Sequence, residues 1–552
     1  MNVMSHSIED RAGHTEHKEF RIVGPPGCGK STTIRHWASR AVDRYGSDRV
    51  MVTSFSRAAA QEIASRGLAV NRDMVGTLHS MALRSIGRPT IAETKIAEWN
   101  ETHRAYQMTG AAPDVNAGAR QSEGKTAGDK LMEQAQRFRK LMVPIERWPD
   151  HVRAFEVRWR AWKQEHEYID FTGMLEVALA EIPRAPGNPS VMFVDEAQDL
   201  GVLELALVRS WMQKTEFGVL VFDTDQTIFA FTGASPEALL AEEIPPENVR
   251  VLSQSYRIPR KVHEFAVKWI EQSSFRYPSA YNPREEEGEL DRIASTYRNP
   301  TALVADAAKQ DGTSMILAAC AYMLSPTIKA LRARGIPFHN PGQTKNGGWN
   351  PMRGVTKLLA FLAPDPKLAT KDKPNRLWTY GEVAAWATLL RASGVFKRGG
   401  KAQVGRTRDE VKGTDRAGQA MTVAEISDII EPDALAEITE ALTNGTATAW
   451  FAAHALPQHI KRLRYYDAIA RRVGVEALTQ EPRVTVGTLH SSKGTEADTV
   501  YIYPDLSQSG MQEWRGSPTQ RDTVRRLYYV GATRARHRLV LARSATPMTI
   551  KW

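Results

Sequence analysis

Gly24-Pro25-Pro26-Gly27-Cys28-Gly29-Lys30-Ser31 fits the pattern GxxxxGK[ST], in which glycines let consecutive backbone N–H groups curl around the β- and γ-phosphates of a nucleotide. Lys30 is then placed to meet the phosphates and Ser31 a Mg²⁺ ion. The flanks agree. Phe20-Arg21-Ile22-Val23 reads as a short strand, and from Thr32 onward Ile34, Trp37 and Ala38 recur at helical spacing, giving a helix whose N-terminus faces the anion. Within the loop Cys28 reads as a small side chain rather than a nucleophile.

Far downstream, Ser190-Val191-Met192-Phe193-Val194 is a short apolar run ending in Asp195-Glu196-Ala197-Gln198-Asp199. A buried parallel strand delivers acids to the C-terminal edge of a sheet in this way. Asp195 is expected to hold Mg²⁺ and Glu196 to orient or deprotonate the attacking water. The two stretches supply both halves of a site that hydrolyses a nucleoside triphosphate.

At 552 residues the chain exceeds one comfortable core, so several domains are expected. Charged residues at 25% and hydrophobic residues at 42% suit a soluble globular protein. Lys and Arg total 73 against 63 Asp and Glu, and the net charge of +10 is compatible with a polyanionic partner. Two cysteines exclude a disulfide framework and a Cys-rich zinc site. The polar segment Met1 to Lys18 is not expected to act as a signal peptide, and no run of about 18 apolar residues suggests a membrane span. A cytosolic location and no membrane partner are the expectation.

Short apolar runs recur beside helical patterns at Arg49 to Ser54, Ser190 to Val194, Gly218 to Asp223 and Val249 to Ser253. A second set lies at Ser314 to Ala319, Arg483 to Thr488, Thr499 to Tyr503 and Arg538 to Ala542. This predicts an α/β fold with two parallel sheets, each interrupted by a smaller, mainly helical insertion. The expected partition is 1–86 with 168–248 for the first sheet domain and 87–167 for its insertion. The second sheet domain takes 249–365 with 481–552, and its insertion 366–480. Phe396 to Gly418, carrying Lys397, Arg398, Lys401, Arg406, Arg408, Lys412 and Arg416 against Asp409, Glu410 and Asp415, reads as an exposed loop. It is either a contact for duplex phosphates or a solvated surface.

The remaining motifs resemble, in order and spacing, the UvrD/Rep/PcrA group of superfamily 1 helicases, whose sheet domains are RecA-like. Ser54 to Glu62 resembles TFTNKAAREM, Gly76-Thr77-Leu78-His79-Ser80 resembles TFHS, and Asp170 to Leu175 resembles DFDDLL. Asp223 to Ala234 is similar to DxDQSIYxWRGA, with Phe231 in place of a Trp and Thr232 where the group has Arg. Leu252 to Arg257 resembles LxxNYR, Val486 to Glu496 resembles TLHSAKGLE, and Arg525 to Ala535 resembles RRLxYVAxTRA. The resemblance implies Gln226 as a sensor of the γ-phosphate, Tyr256 against adenine, Arg257 and Arg534 on the γ-phosphate, and Glu496 near the ribose. It implies strand contacts by Phe55, Thr77, His79, Phe229, Phe231, Thr488 and His490. Aromatic rings suit that task because every base presents a π-face. No glutamine motif is recognised ahead of the phosphate loop.

The resemblance implies an ATP- and Mg²⁺-dependent motor that translocates 3′→5′ on single-stranded DNA, engages single-strand/duplex junctions and unwinds duplex. Two alternatives stay open: a translocase that strips bound proteins with little unwinding, suggested by short insertions, and a nucleotide-gated DNA-binding regulatory module. No fused nuclease is expected, while a separate repair, replication or nuclease partner is compatible with the sequence. Stacking and phosphate contacts do not by themselves separate DNA from RNA.

Overall fold

A computed structural model describes residues 18–54, 69–110, 126–340, 349–365, 368, 377–411 and 413–552. It is an α/β protein with two six-stranded sheets in which every paired strand runs parallel. The first sheet contains β1 (Glu19–Val23), β2 (Val50–Ser54), β3 (Val75–Thr77), β4 (Val191–Asp195), β5 (Phe217–Phe222) and β6 (Val249–Val251), in the order β3-β2-β4-β5-β1-β6. The second contains β7 (Glu289–Ile293), β8 (Ser314–Ala318), β9 (Phe338–His339), β10 (Val484–Thr488), β11 (Ala497–Ile502) and β12 (Ala535–Ala542), in the order β7-β12-β11-β8-β10-β9.

The central strands β2, β4, β5 and β8 are buried at every position, which is why they read as unbroken apolar runs. Because β1, β4 and β5 run the same way, the phosphate loop, the Asp195-Glu196 pair and Asp223 all leave the same edge of the first sheet. The expected boundary after residue 248 falls inside this sheet, since β6 pairs with β1 and Leu252 N–H still donates to the Val23 carbonyl. β3, β7 and β9 have no counterpart among the strands expected from sequence. They are short or carry charges, and edge strands need no continuous apolar run.

The first insertion has an aromatic core of its own, built on Trp99, Trp148, Phe155, Trp159 and Trp162. The Trp99 and Trp159 ring centroids lie 5.1 Å apart, edge to face. A buried ionic hub joins it to the first sheet domain: Asp170 accepts from Arg139 Nη1 at 2.7 Å, from Trp159 Nε1 at 2.7 Å and from Gly173 N–H at 2.6 Å, and pairs with Lys163. Burial raises its pKa, but the charges of Arg139 and Lys163 and their hydrogen bonds outweigh that and hold the carboxyl well below the usual range. The second insertion differs, because its buried residues, Trp378, Trp386 and Phe451 among them, belong to one continuous core with the second sheet.

The expected loop at 396–418 is instead largely helical: Gly400–Val411 forms an α-helix and Asp415–Gly418 a 3₁₀ turn. Its sparse apolar residues suffice as anchors, because Phe396 and Val404 are each only 5% exposed and pack with Met421, Ile426 and Ile429. Arg406, Arg408, Asp409 and Glu410 stay on the exposed side. No helix among the described residues is long and apolar enough to cross a membrane.

Candidate nucleotide site and strand cleft

The phosphate loop leaves β1 and runs into the helix Lys30–Tyr45, with Gly27 and Gly29 at φ of 77° and 78°. A Cβ on Gly27 would come within 2.6 Å of Arg257 Cβ and 2.7 Å of Ser255 Oγ, so only glycine lets the loop lie against the segment after β6. That segment braces it: Tyr256 N–H donates to the Gly27 carbonyl at 2.9 Å, while Ser255 Oγ and Tyr281 Oη donate to the Pro26 carbonyl at 3.0 and 3.1 Å. Lys30 Nζ donates to the Gly24 carbonyl at 2.5 Å and the Pro25 carbonyl at 3.4 Å. Cys28 is buried, and burial pushes its thiol up to about 12, in keeping with a packing role. Ser31 is partly buried and Thr32 exposed. The Tyr256 ring is 75% exposed.

Asp195 ends β4, and Glu196 takes the left-handed conformation at φ 55° before a 3₁₀ turn. Burial and the adjacent Glu196 push the Asp195 carboxyl up to about 7. Such a carboxyl favours a cation beside it. Burial acts in the same direction on Glu196, but the charges of Lys493 and Lys30 outweigh it and hold Glu196 at about 2. The described residues hold no cluster of three or more His, Cys, Asp or Glu side chains suited to a metal. A Mg²⁺ ion that keeps waters and phosphate oxygens in its shell does not require such a cluster.

Across the cleft, Gln226 is held from both sheets. Its Nε2 donates to Asp223 Oδ2 at 2.8 Å, and its Oε1 accepts from Arg534 Nη2 at 2.7 Å. Arg534 is buried; burial and Arg257 lower its pKa to about 10, which leaves it charged at neutral pH. Arg257 Nε pairs with Glu496 Oε2 at 2.6 Å, and Arg536 holds the other oxygen of that carboxylate. Gln226 with Arg534 and Glu196 with Lys493 link the two sides of the cleft, Arg257 pairs with Glu496, and Lys30 and Asp195 stand at the edge of the first sheet.

Of the strand-contact candidates, Phe229, Phe231 and His490 converge. The Phe229–Phe231, Phe231–His490 and Phe229–His490 centroids lie 6.0, 5.9 and 6.1 Å apart. Phe231 is 38% exposed, whereas Phe229 and His490 are 6% and 7% exposed. Phe231 and His490 line a cavity of about 250 Å³ between the two sheet domains, closed by Arg137 from the first insertion and by Glu513 and Gln520 from the second sheet domain. The Thr232 hydroxyl turns back to the Phe229 carbonyl at 2.7 Å and closes its own turn. Thr77 and His79 lie apart from that cavity, with the His79 ring 6.4 Å from Phe171. Thr488 is buried beneath the second turn. Phe55 lies outside the described residues.

Sequence reasoning assigns no role to Asp199, Arg276, Tyr281 or Lys493. Asp199 and Lys493 sit inside quoted motifs, so a signal for them exists. Arg276, which grips Asp225 with Nη2 at 2.6 Å, and Tyr281 carry no local pattern and become visible only in the fold.

A phosphate loop and an acidic strand end on one parallel sheet, completed by arginines beyond a cleft, define a two-domain P-loop nucleotide motor. Comparison agrees: an AAA domain model matches residues 10–232 and a UvrD-like helicase C-terminal domain model matches residues 459–546. Together these matches support a UvrD/PcrA-like ATP-dependent DNA helicase. YjcD of Bacillus subtilis, named as a putative ATP-dependent DNA helicase, is 21% identical over 94% of this chain and 76% of its own length. The ATP-dependent DNA helicase UvrD2 of Mycobacterium tuberculosis is 23% identical over the same shares, 94% and 76%. The ATP-dependent DNA helicase PcrA of Leuconostoc citreum is 22% identical over 47% of this chain and 38% of its own.

Proposed function

We propose that this protein is a 3′→5′ motor that walks on single-stranded DNA and separates duplex at a junction, using ATP with Mg²⁺. The observation that carries the reading is the turn after β5. Gln226, bonded to Arg534 of the other domain, and the aromatic pair Phe229 and Phe231 stand within one short stretch. A change at the γ-phosphate therefore reaches the strand cleft through a few residues of backbone.

In this mechanism the N–H groups of Gly27 to Lys30 and the Lys30 ammonium hold the phosphates, and Tyr256 stacks on the base. Mg²⁺ bound at Ser31 and Asp195 would neutralise phosphate charge. Glu196 orients or deprotonates the attacking water. Arg257 and Arg534 leave Glu496 and Gln226 to meet the charge spread over the transferring phosphoryl oxygens. Closure then tightens the cleft on the strand through Phe231 and His490, with Thr77 and His79 on the track and the buried Thr488 bracing the turn that carries His490, and product release relaxes it. Polarity rests on similarity to the UvrD/PcrA group, and the natural substrate would be a junction presented by a repair or replication intermediate.

The test is ATP hydrolysis by wild type and Glu196→Gln without nucleic acid, with single-stranded DNA and with single-stranded RNA, followed by displacement from 3′- and 5′-tailed duplexes. Strong stimulation by DNA that Glu196→Gln abolishes, with unwinding of the 3′-tailed substrate, supports the motor. Unwinding confined to the 5′-tailed substrate overturns the polarity, and absence of hydrolysis under every condition overturns the motor.

A further inference from the structure

Lys493 follows the second-domain turn Thr488-Leu489-His490-Ser491-Ser492, and its backbone N–H donates to the His490 carbonyl at 3.3 Å. Its side chain crosses to the first domain, where only 10% of it remains exposed. There the ammonium pairs with Asp199, lies 3.2 Å from Glu196 Oε2, donates to the Gln226 carbonyl at 3.0 Å and sits 5.5 Å from the Phe229 ring centroid. Gln198 Nε2 donates to that same Glu196 oxygen. One lysine thus touches the carboxylate proposed to activate water, the backbone of the residue bonded to Arg534, and an aromatic wall of the strand cleft.

The Lys493 ammonium and Gln198 Nε2 together hold Glu196 Oε2 in place, so the carboxylate cannot swing freely toward a water. Asp199 competes for the same ammonium and limits its hold on Glu196. The lysine is tied through two residues of backbone to His490, which lines the cavity beside Phe231. His490 and Phe231 are therefore the side chains nearest to any base in that cavity, and Lys493 is anchored to the turn that carries His490.

We propose that Lys493 is a positioning residue that restrains Glu196 while the strand cleft is empty and releases it toward the attacking water when a strand enters. This rests on the motor reading above and deepens it, since it names the side chain through which the strand regulates hydrolysis. Asp199 is the counterweight: it draws the ammonium away from Glu196. The two residues should therefore shift DNA-independent hydrolysis in opposite directions.

The experiment measures steady-state ATP hydrolysis of the full chain, with and without a saturating thymidine oligonucleotide, for wild type, Lys493→Met, Lys493→Arg and Asp199→Asn, with oligonucleotide affinity measured in parallel. Lys493→Met is expected to raise the rate without DNA about tenfold, the factor that corresponds to freeing one charged hydrogen bond, and to shrink the stimulation ratio accordingly. Lys493→Arg should restore most of the ratio, and Asp199→Asn should lower the DNA-independent rate. If Lys493→Met does not fold, Lys493→Gln replaces it with the same expectation at smaller amplitude. A Lys493→Met or Lys493→Gln enzyme slowed by one common factor with and without DNA overturns the inference and leaves a structural lysine. A wild type that hydrolyses ATP without any response to oligonucleotide overturns the motor reading itself.

Discussion

The sequence Gly-Thr-Leu-His-Ser occurs twice, at Gly76–Ser80 after β3 begins and at Gly487–Ser491 at the end of β10; the two copies share one threonine–serine turn, after which the first runs into the α-helix Leu78–Ser85 and the second into the 3₁₀ turn His490–Ser492. In each, the serine N–H donates to the threonine Oγ1 at 3.2 Å, and the serine Oγ donates back to the threonine carbonyl, at 2.7 Å in the first and 2.8 Å in the second. Their surroundings differ. His79 is partly buried beside the exposed Phe171, while His490 is packed against Phe229 and Phe231, with its Nδ1 buried and unpartnered. Only the second copy leads into a lysine that reaches the nucleotide site. The same threonine–serine turn thus sets a histidine beside Phe171 in one domain and against the strand cleft in the other, because tertiary packing chooses the neighbours.

The largest effect that separates the copies should come from the histidines. His490→Ala opens the wall shared with Phe229 and Phe231, and is expected to cut DNA-stimulated ATP turnover roughly tenfold or more, given stacking worth about 1–3 kcal/mol per base. His79→Ala should raise the DNA concentration needed by a few fold and leave saturated turnover near wild type. Equal losses from both, in oligonucleotide titrations of ATP hydrolysis, would remove the distinction.

Phe231→Ala comes next. Because its ring is part-exposed at the cleft, it should weaken oligonucleotide binding by about 1–3 kcal/mol, read by fluorescence anisotropy, with little change in thermal midpoint. An unfolding midpoint that drops as far as the affinity would recast Phe231 as core.

Burial lowers both His79 and His490 to about 4, below the ordinary histidine value near 6.5. The unfolded chain then binds the extra protons first, so both residues reduce stability as pH falls from about 6.5 toward 4, and neither alters it above about 7. His490→Asn escapes that loss. Any stability deficit it shows against wild type in denaturant titrations at pH 7.5 should narrow at pH 5, and a constant deficit would mean that His490 is not buried neutral.

The smallest effect should be the one that the copies share. A Cβ on Gly76 would lie 2.5 Å from Ser80 Oγ, and one on Gly487 would lie 2.4 Å from Ser491 Oγ. Gly76→Ala and Gly487→Ala each force the serine to rotate and forfeit one hydrogen bond, about 1 kcal/mol in unfolding free energy. Matching losses would confirm that the two turns are equivalent.

The sequence was legible where function demands a fixed pattern. The phosphate loop, the acidic strand end and the buried strands β1, β2, β4, β5, β8, β10, β11 and β12 announce themselves through glycine spacing and continuous apolar runs. The edge strands β3, β7 and β9 are silent because a solvated edge tolerates polar residues. The helix at Gly400–Val411 was obscured by its charges, since two anchoring residues are too few to set a period. Among the site residues, those within motifs could be named in advance, whereas Arg276 and Tyr281 act from a segment without any motif.

By itself, then, the sequence determined the local patterns: which loop has the glycine spacing of a phosphate loop, which carboxylates stand at a strand end, which aromatic residues lie just past the turn after β5. Those are properties of side-chain type and short spacing, fixed by local backbone geometry. Only the tertiary structure decided who meets whom across the cleft: Arg534 on Gln226, Arg257 on Glu496, Lys493 between Glu196 and Asp199. Those partners lie hundreds of residues apart in the chain, and no local pattern encodes a distance that the packing of two separately folded sheets sets.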